Sequence, residues 1–180
     1  MSVYKVVVTG PESTGKTGIA RGLARHFNTI WIPEYAREYI TGLDRPYSYQ
    51  DVEHIAREQL NREREYLNRA SRILFYDTHL IVTRVWFDVV YNRCPGWLHK
   101  AIKEYKPDLF LVCNTDLPWV SDPVRENGGK MREVLMEMYI KEINAIGVPY
   151  ELVSGYGEDR LDYAVRAVKN YIDKKVENET

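Results

Sequence analysis

Gly10-Pro11-Glu12-Ser13-Thr14-Gly15-Lys16-Thr17 is the stretch on which the reading of this 180-residue chain turns. It satisfies G-x-x-x-x-G-K-[ST], the spacing of a phosphate-binding loop. Glycines let the backbone turn so tightly that successive N–H groups converge on phosphate oxygens. The helix that follows adds the partial positive charge of its N-terminus. Lys16 then reaches the β- and γ-phosphates of a nucleotide such as ATP, and the Thr17 hydroxyl is placed for Mg2+. Gly18 continues the loop into the helix. With average Gly usage near 7%, a chance match in a chain of this length is on the order of one in a hundred. No G-x-G-x-x-G occurs, so the loop is not a dinucleotide fingerprint.

The flanks agree with the motif. Val3 to Thr9 is a β-branched run that reads as a buried strand, and from Lys16 the period changes, with Ile19, Ala20, Leu23, Ala24 and Phe27 on one helical face. Further strands are expected at Thr29 to Ile32, Arg72 to Tyr76, Leu109 to Cys113 and Pro149 to Val153. Helices are expected from Pro33 (at its favoured first-turn position), over Asp51 to about Ala70, over Leu80 to Tyr91, after Gly128-Gly129, and at the C-terminal end. Cys94-Pro95-Gly96 reads as a break, and a loop holds Pro118 and Pro123. In the helix after Gly129 the apolar positions are Met131, Val134, Leu135, Met138 and, further on, Ile143 and Ile146. Strands alternating with helices predict an α/β fold, a doubly wound parallel five-stranded sheet with its ligands at the carboxyl ends of the strands.

Composition narrows the class. Twenty-five Lys+Arg against 26 Asp+Glu leave a formal charge of −1, which argues against duplex DNA binding through the overall field. Two cysteines without ligand spacing exclude a structural zinc site and fit a reducing compartment. The apolar runs are too short to span a bilayer and no secretory leader is evident, so a cytoplasmic, single-domain protein over residues 1–180 is expected, without membrane or nucleic-acid partners.

Asp77 ends the third strand, where a Mg2+-organising carboxylate is expected, and the next residue is Thr78 rather than the Glu with which motor ATPases activate water. Glu34 follows the second strand and stands at the same sheet edge, either as a proton acceptor for a substrate hydroxyl or as a charge at a helix N-terminus. Asp77 competes for the base role. Residues 121–133 read as a lid with hinge freedom at Gly128-Gly129, in which Arg125, Lys130 and Arg132 are set to neutralise a phosphoryl group in transit. The arginines and glutamates between Asp51 and Arg72 interleave as a solvated, ion-paired face. Of four scattered histidines, only His79 falls near the expected site. Ser154-Gly155, after the fifth strand, is an adenine-side candidate on topology alone.

GPESTGKT, WIPEYAREY, YDTHLIVTRVW and TDLPWVSDPVRENG together resemble the ribosylnicotinamide kinase domain of the NadR family over nearly the whole chain. The resemblance implies ATP- and Mg2+-dependent phosphorylation of the ribose 5′-hydroxyl of nicotinamide riboside. It also implies a small-molecule nucleoside as partner and an acceptor pocket drawing on Glu34, Tyr35, Arg37, Tyr39, Asp77, His79, Trp86 and Trp119. A pyridinium ring is a flat cation suited to the faces of those aromatics. The best-known members also carry a DNA-binding helix-turn-helix and an adenylyltransferase domain, for which no room is expected before a loop that starts at residue 10. His79 stands where many relatives have a second acid. The alternatives are a kinase for another nucleoside or vitamin-like alcohol, and a non-catalytic module switched by ATP.

Overall fold

The computed structural model describes residues 3–122 and 124–178; the expected loop residue Pro123 and the ends of the chain lie outside the described residues. The strands are β1 Tyr4–Thr9, β2 Trp31–Ile32, β3 Ile73–Asp77, β4 Leu109–Cys113 and β5 Tyr150–Val153. They form one sheet in the order β2-β3-β1-β4-β5, with every neighbouring pair parallel. In β1 the side chains alternate: Val7 faces one side of the sheet, Val6 and Val8 the other. Both faces are buried, which is why the sequence reads as a continuous Val run and not as an alternating one.

Helix α1, Lys16–His26, and α7, Gly157–Asn178, cover the face of Val6, Val8, Phe75 and Leu111. The opposite face, with Val7, Leu74, Phe110 and Val112, packs under α3 (Tyr49–Leu67), α4 (Leu80–Trp86), α5 (Gly96–Glu104) and α6 (Met131–Ile146). Helices on both faces make the fold doubly wound, as the alternation of elements predicts. Among the described residues no helix is long and apolar enough to cross a membrane.

Several local expectations are corrected. Pro33 precedes α2 (Tyr35–Thr41) rather than opening it, because Glu34 takes the N-cap. α3 starts two residues early: Ser48 and Asp51 form a reciprocal capping box that satisfies the first free N–H groups. The helix over Leu80 to Tyr91 is not uniform. After Trp86 it widens into a π-helical turn over Phe87–Tyr91, ended by Asn92 in a left-handed conformation. Helix α5 adds an element beyond those expected: Pro95, which breaks the preceding helix, is its N-cap, and Gly96 is its first residue. In α6 Leu135, Ile143 and Ile146 face inward as expected, but Arg132, Met136 and Tyr139 join them and Val134 is exposed.

Candidate functional site

The phosphate loop runs from the end of β1 into α1. Gly10 has φ +139°, and a Cβ there would stand 2.6 Å from the Cys113 carbonyl oxygen of β4, so only glycine lets the loop turn against the sheet. Gly15, at φ +78°, is the N-cap of α1. Inside the loop the buried Thr14 hydroxyl donates to the Pro11 carbonyl at 2.8 Å, and Lys16 Nζ donates to the same oxygen at 2.8 Å.

Two arginines that sequence reasoning missed or misplaced hold this loop from behind. Arg160, in the first turn of α7, is buried; its Nη1 donates to Asp116 Oδ1 at 2.7 Å and the Gly155 carbonyl at 2.8 Å, and its Nη2 to the Thr14 carbonyl at 3.1 Å and the Asn114 carbonyl at 2.9 Å. Burial works against ionising Asp116, but the Gly155 N–H and the Arg160 guanidinium outweigh it and hold the carboxyl below its usual range. Arg132, expected over the phosphoryl group, donates to the Leu117 and Ser13 carbonyls at 3.0 and 3.3 Å. It does not line the cavity described next, because the inward face of α6 turns it toward the loop's back. Ser154 and Gly155 are also off the cavity: Asn114 Nδ2 donates to Ser154 Oγ at 3.1 Å and the Gly155 N–H to Asp116 at 2.7 Å.

In front of the loop lies a cavity of about 360 Å3. The loop itself lines it, through Gly10 and Glu12 to Gly18; Pro11 is not in the lining. Apolar and aromatic side chains also line it, namely Tyr47, Val82, Trp86, Val89, Val90, Leu135 and Tyr139. Glu34, Arg37 and Arg125 stand in its wall, joined by Gln59 and Thr78. Val89 and Val90 belong to the π-helical turn, so that irregularity shapes the pocket. Thr78 has φ +74°, an unusual strain for a β-branched residue, and its N–H donates to the Val8 carbonyl at 2.9 Å.

Asp77 lies behind this wall, buried, and accepts the Thr17 hydroxyl on Oδ2 at 2.5 Å, while its Oδ1 is buried without a partner. Burial first and the charge of Glu34 second raise its pKa to about 6. A carboxylate held so uncomfortably is a fitting place for a cation, which would restore the charged form. Among the described residues no cluster of three or more His, Cys, Asp or Glu is present, and a Mg2+ ion needs none, since it takes one or two carboxylates plus phosphate and water.

The aromatics divide by helix face. In the short α2, Ala36, Arg37 and Ile40 meet the cavity, which leaves Tyr35 and Tyr39 about a third of a turn away. There Tyr35 bonds His54 at 3.0 Å and Tyr39 donates to Asp51 at 2.8 Å. Trp119 lies on Gly128, where an added Cβ would come within 3.2 Å of the indole, so glycine leaves room for the ring. Lys130 is exposed and off the cavity. Of the four expected aromatics, Trp86 alone lines the cavity, set edge-on to Tyr47 at 4.9 Å. Arg37 and Arg125 do reach the wall, each paired with Asp122, at 3.0 and 2.9 Å. Trp86 was legible by position, whereas Tyr47 and Tyr139 carry no local motif that marks them.

His79 is not in the main cavity. It is the N-cap of α4, buried edge-on against Phe110, and burial, aided by Lys5, lowers its pKa to about 3. An unfolded chain takes up the proton near 6.5, the folded one only near 3, so this residue's stabilising contribution is complete above about 6.5 and drains away as pH falls toward 3. In metal-free protein, urea unfolding at pH 7 and pH 5 should show wild type losing about 2 kcal/mol more than His79→Leu. Equal losses in the two proteins would remove His79 from the acid sensitivity.

Five parallel strands, a phosphate loop between β1 and α1, and a carboxylate ending the neighbouring strand define a P-loop nucleotide-binding protein with the nucleoside- and nucleotide-kinase fold. A family model described as an AAA domain matches residues 5–160, and the chain belongs to that family. It is 29% identical over 151 residues to the trifunctional NAD biosynthesis/regulator protein NadR of Salmonella typhimurium, an alignment covering 79% of this chain and 37% of that protein. Solved NadR structures superpose with TM-scores of 0.74 (in complex with NR, 25% identity) and 0.76 (with NAD and AMP-PNP, 27% identity), each covering 94% of this chain and 49% of the other. Deoxyadenosine kinase from M. mycoides, at 13% identity and TM-score 0.64, shares the fold, covering 92% of this chain and 99% of its own. The resemblance to NadR stands, and the chain spans well under two thirds of the length of these NadR relatives.

Proposed function

We propose that this chain is a ribosylnicotinamide kinase that transfers the γ-phosphoryl group of ATP to the 5′-hydroxyl of nicotinamide riboside, giving nicotinamide mononucleotide. One observation carries the reading: the phosphate loop and the carboxylate Glu34 line the same 360 Å3 space, together with apolar and aromatic side chains. That volume suits a small molecule. Similarity to NadR, solved in complex with NR and with AMP-PNP, supports the choice of acceptor and donor.

Roles follow from position. Loop N–H groups hold the phosphates and Lys16 swings from the Pro11 carbonyl to the γ-phosphate. Thr17 and Asp77 would hold Mg2+, which when bound neutralises charge on the phosphate oxygens. Glu34 lines the cavity while Asp77 is buried behind Thr17, so Glu34 is the better base. The acceptor oxygen bonds to the γ-phosphorus as its proton passes to Glu34, and the bond from the γ-phosphorus to the bridging oxygen breaks to release ADP. Arg37 and Arg125 face the charge that spreads over the phosphoryl oxygens. Residues 121–133 act as the lid over a single domain, Trp86 and Tyr47 receive the pyridinium ring, and Ser154-Gly155 lies toward the adenine. A cytoplasmic setting, where ATP is abundant, belongs to this reading.

ADP release measured over a panel of nucleosides tests it. Selective stimulation by nicotinamide riboside is expected. Stimulation by a different acceptor would transfer the chemistry to that substrate, and none by any acceptor would leave an ATP-switched module. Within the same assay Glu34→Gln should lower kcat by about 10²- to 10⁴-fold, with AMP-PNP affinity within about threefold of wild type. A wild-type kcat in Glu34→Gln would take this carboxylate out of the chemistry.

A further inference from the structure

Glu12 is a puzzle inside a phosphate loop, because a carboxylate there has the wrong sign for a phosphate site. Its partners explain it. Oε1 accepts the Glu126 N–H and the Asn127 side-chain amide, both at 3.1 Å, and Oε2 accepts the Asn127 N–H at 3.1 Å and the Trp119 indole N–H at 3.4 Å. Next to it, Ser13 Oγ donates to the Val120 carbonyl at 3.2 Å and accepts the Val120 N–H at 3.0 Å. All of these partners flank Arg125, whose Nη1 donates to the Val120 carbonyl at 2.6 Å and which lines the cavity.

We propose that Glu12 is a positioning residue: it docks the residues around Arg125 onto the phosphate loop and thereby sets that guanidinium over the phosphoryl group in transit. The inference rests on the kinase reading for its catalytic half. Four N–H donors balance the carboxylate when the segment is docked; undocked, Glu12 stands bare beside the phosphates. Docking and nucleotide binding therefore favour each other. Asp122, which pairs with both Arg125 and Arg37, extends the linkage to the acceptor side of the cavity.

Removing the carboxylate should cost catalysis and not ATP binding, since the change also removes a repulsive charge. Glu12→Ala is expected to lower kcat by about tenfold or more, as is Arg125→Ala, with KM for ATP unchanged or lower. The double variant should be no slower than the worse single variant, because Glu12 acts through Arg125. Glu12→Gln, which keeps one acceptor oxygen, should fall between wild type and Glu12→Ala. Independently of turnover, the Val120, Glu126 and Asn127 amides of AMP-PNP-bound protein should exchange with deuterium at least about tenfold faster in Glu12→Ala than in wild type. Arg125→Ala should leave the Glu126 and Asn127 amides protected. Unchanged exchange in Glu12→Ala, additive kcat losses, or a loss of ATP affinity matching the loss of kcat would each overturn the proposal. If wild type turns over no acceptor, the kinase reading and the positioning role fail together, while the exchange measurement still decides whether Glu12 docks the segment.

Discussion

Lys16→Ala is expected to abolish acceptor-stimulated ADP release, by at least about 10³-fold, while leaving the fold intact. Lys16 is the cation of the phosphate loop, and its ammonium rests on the Pro11 carbonyl at 2.8 Å, part of the loop it would leave to reach a γ-phosphate. Truncation removes one hydrogen bond, worth about 1 kcal/mol net, or about 2–4 °C in Tm for a chain of this size. The loss in rate has another origin: among the described residues no other lysine lines the cavity, so the charge developing on the phosphoryl group would lose the ammonium nearest to it. Calorimetry and the acceptor assay separate the effects. A variant with more than a tenth of wild-type turnover would place the phosphoryl group away from Lys16, and a Tm drop above 10 °C would make the lysine structural instead.

Legibility followed the range of the forces involved. The phosphate loop, β1, β4 and the inward face of α1 were readable because each is decided within a few residues, by glycine conformation, β-branching or helical period. Asp77 was readable since a strand end fixes where its carboxyl lies. Orientation on short helices was not. With only Tyr35–Thr41 in α2, no period reveals whether Tyr35 and Tyr39 or Arg37 and Ile40 face the pocket; that is settled by α3, which offers His54 and Asp51 to the tyrosines. The same holds for Trp119, drawn onto Gly128 by a loop that returns to Glu12. Glu12 itself matched a motif position that any residue satisfies, so its docking role needed the fold.

Arg160 is the plainest case of a residue hidden from the sequence, and it carries the largest expected loss of stability. In Gly157-Glu158-Asp159-Arg160 it reads as part of a charged, solvated first turn, yet it is 3% exposed. Its four hydrogen bonds tie α7 to Asp116, to Gly155 after β5, to Asn114 after β4 and to Thr14 in the phosphate loop. Arg160→Leu would leave the Asp116 carboxylate with the Gly155 N–H and without its cation, and would take a donor from three carbonyls at once. Breaking a buried pair in this way costs about 3–5 kcal/mol, equivalent to roughly 10 °C in Tm. AMP-PNP affinity should fall as well, because the Thr14 carbonyl belongs to the loop whose N–H groups would hold the phosphates. Arg160→Lys should recover only part of the loss, since one ammonium cannot span the two sides that the planar guanidinium forks across. Arg69, by contrast, pairs with Glu65 at 3.3 Å with its side chain 57% exposed, and Arg69→Ala should stay within about 0.5 kcal/mol of wild type. Urea unfolding of the three variants compares a buried fork with an exposed pair of the same chemistry. Arg160→Leu within 1 kcal/mol of wild type would mean that the loop keeps its shape without this tie.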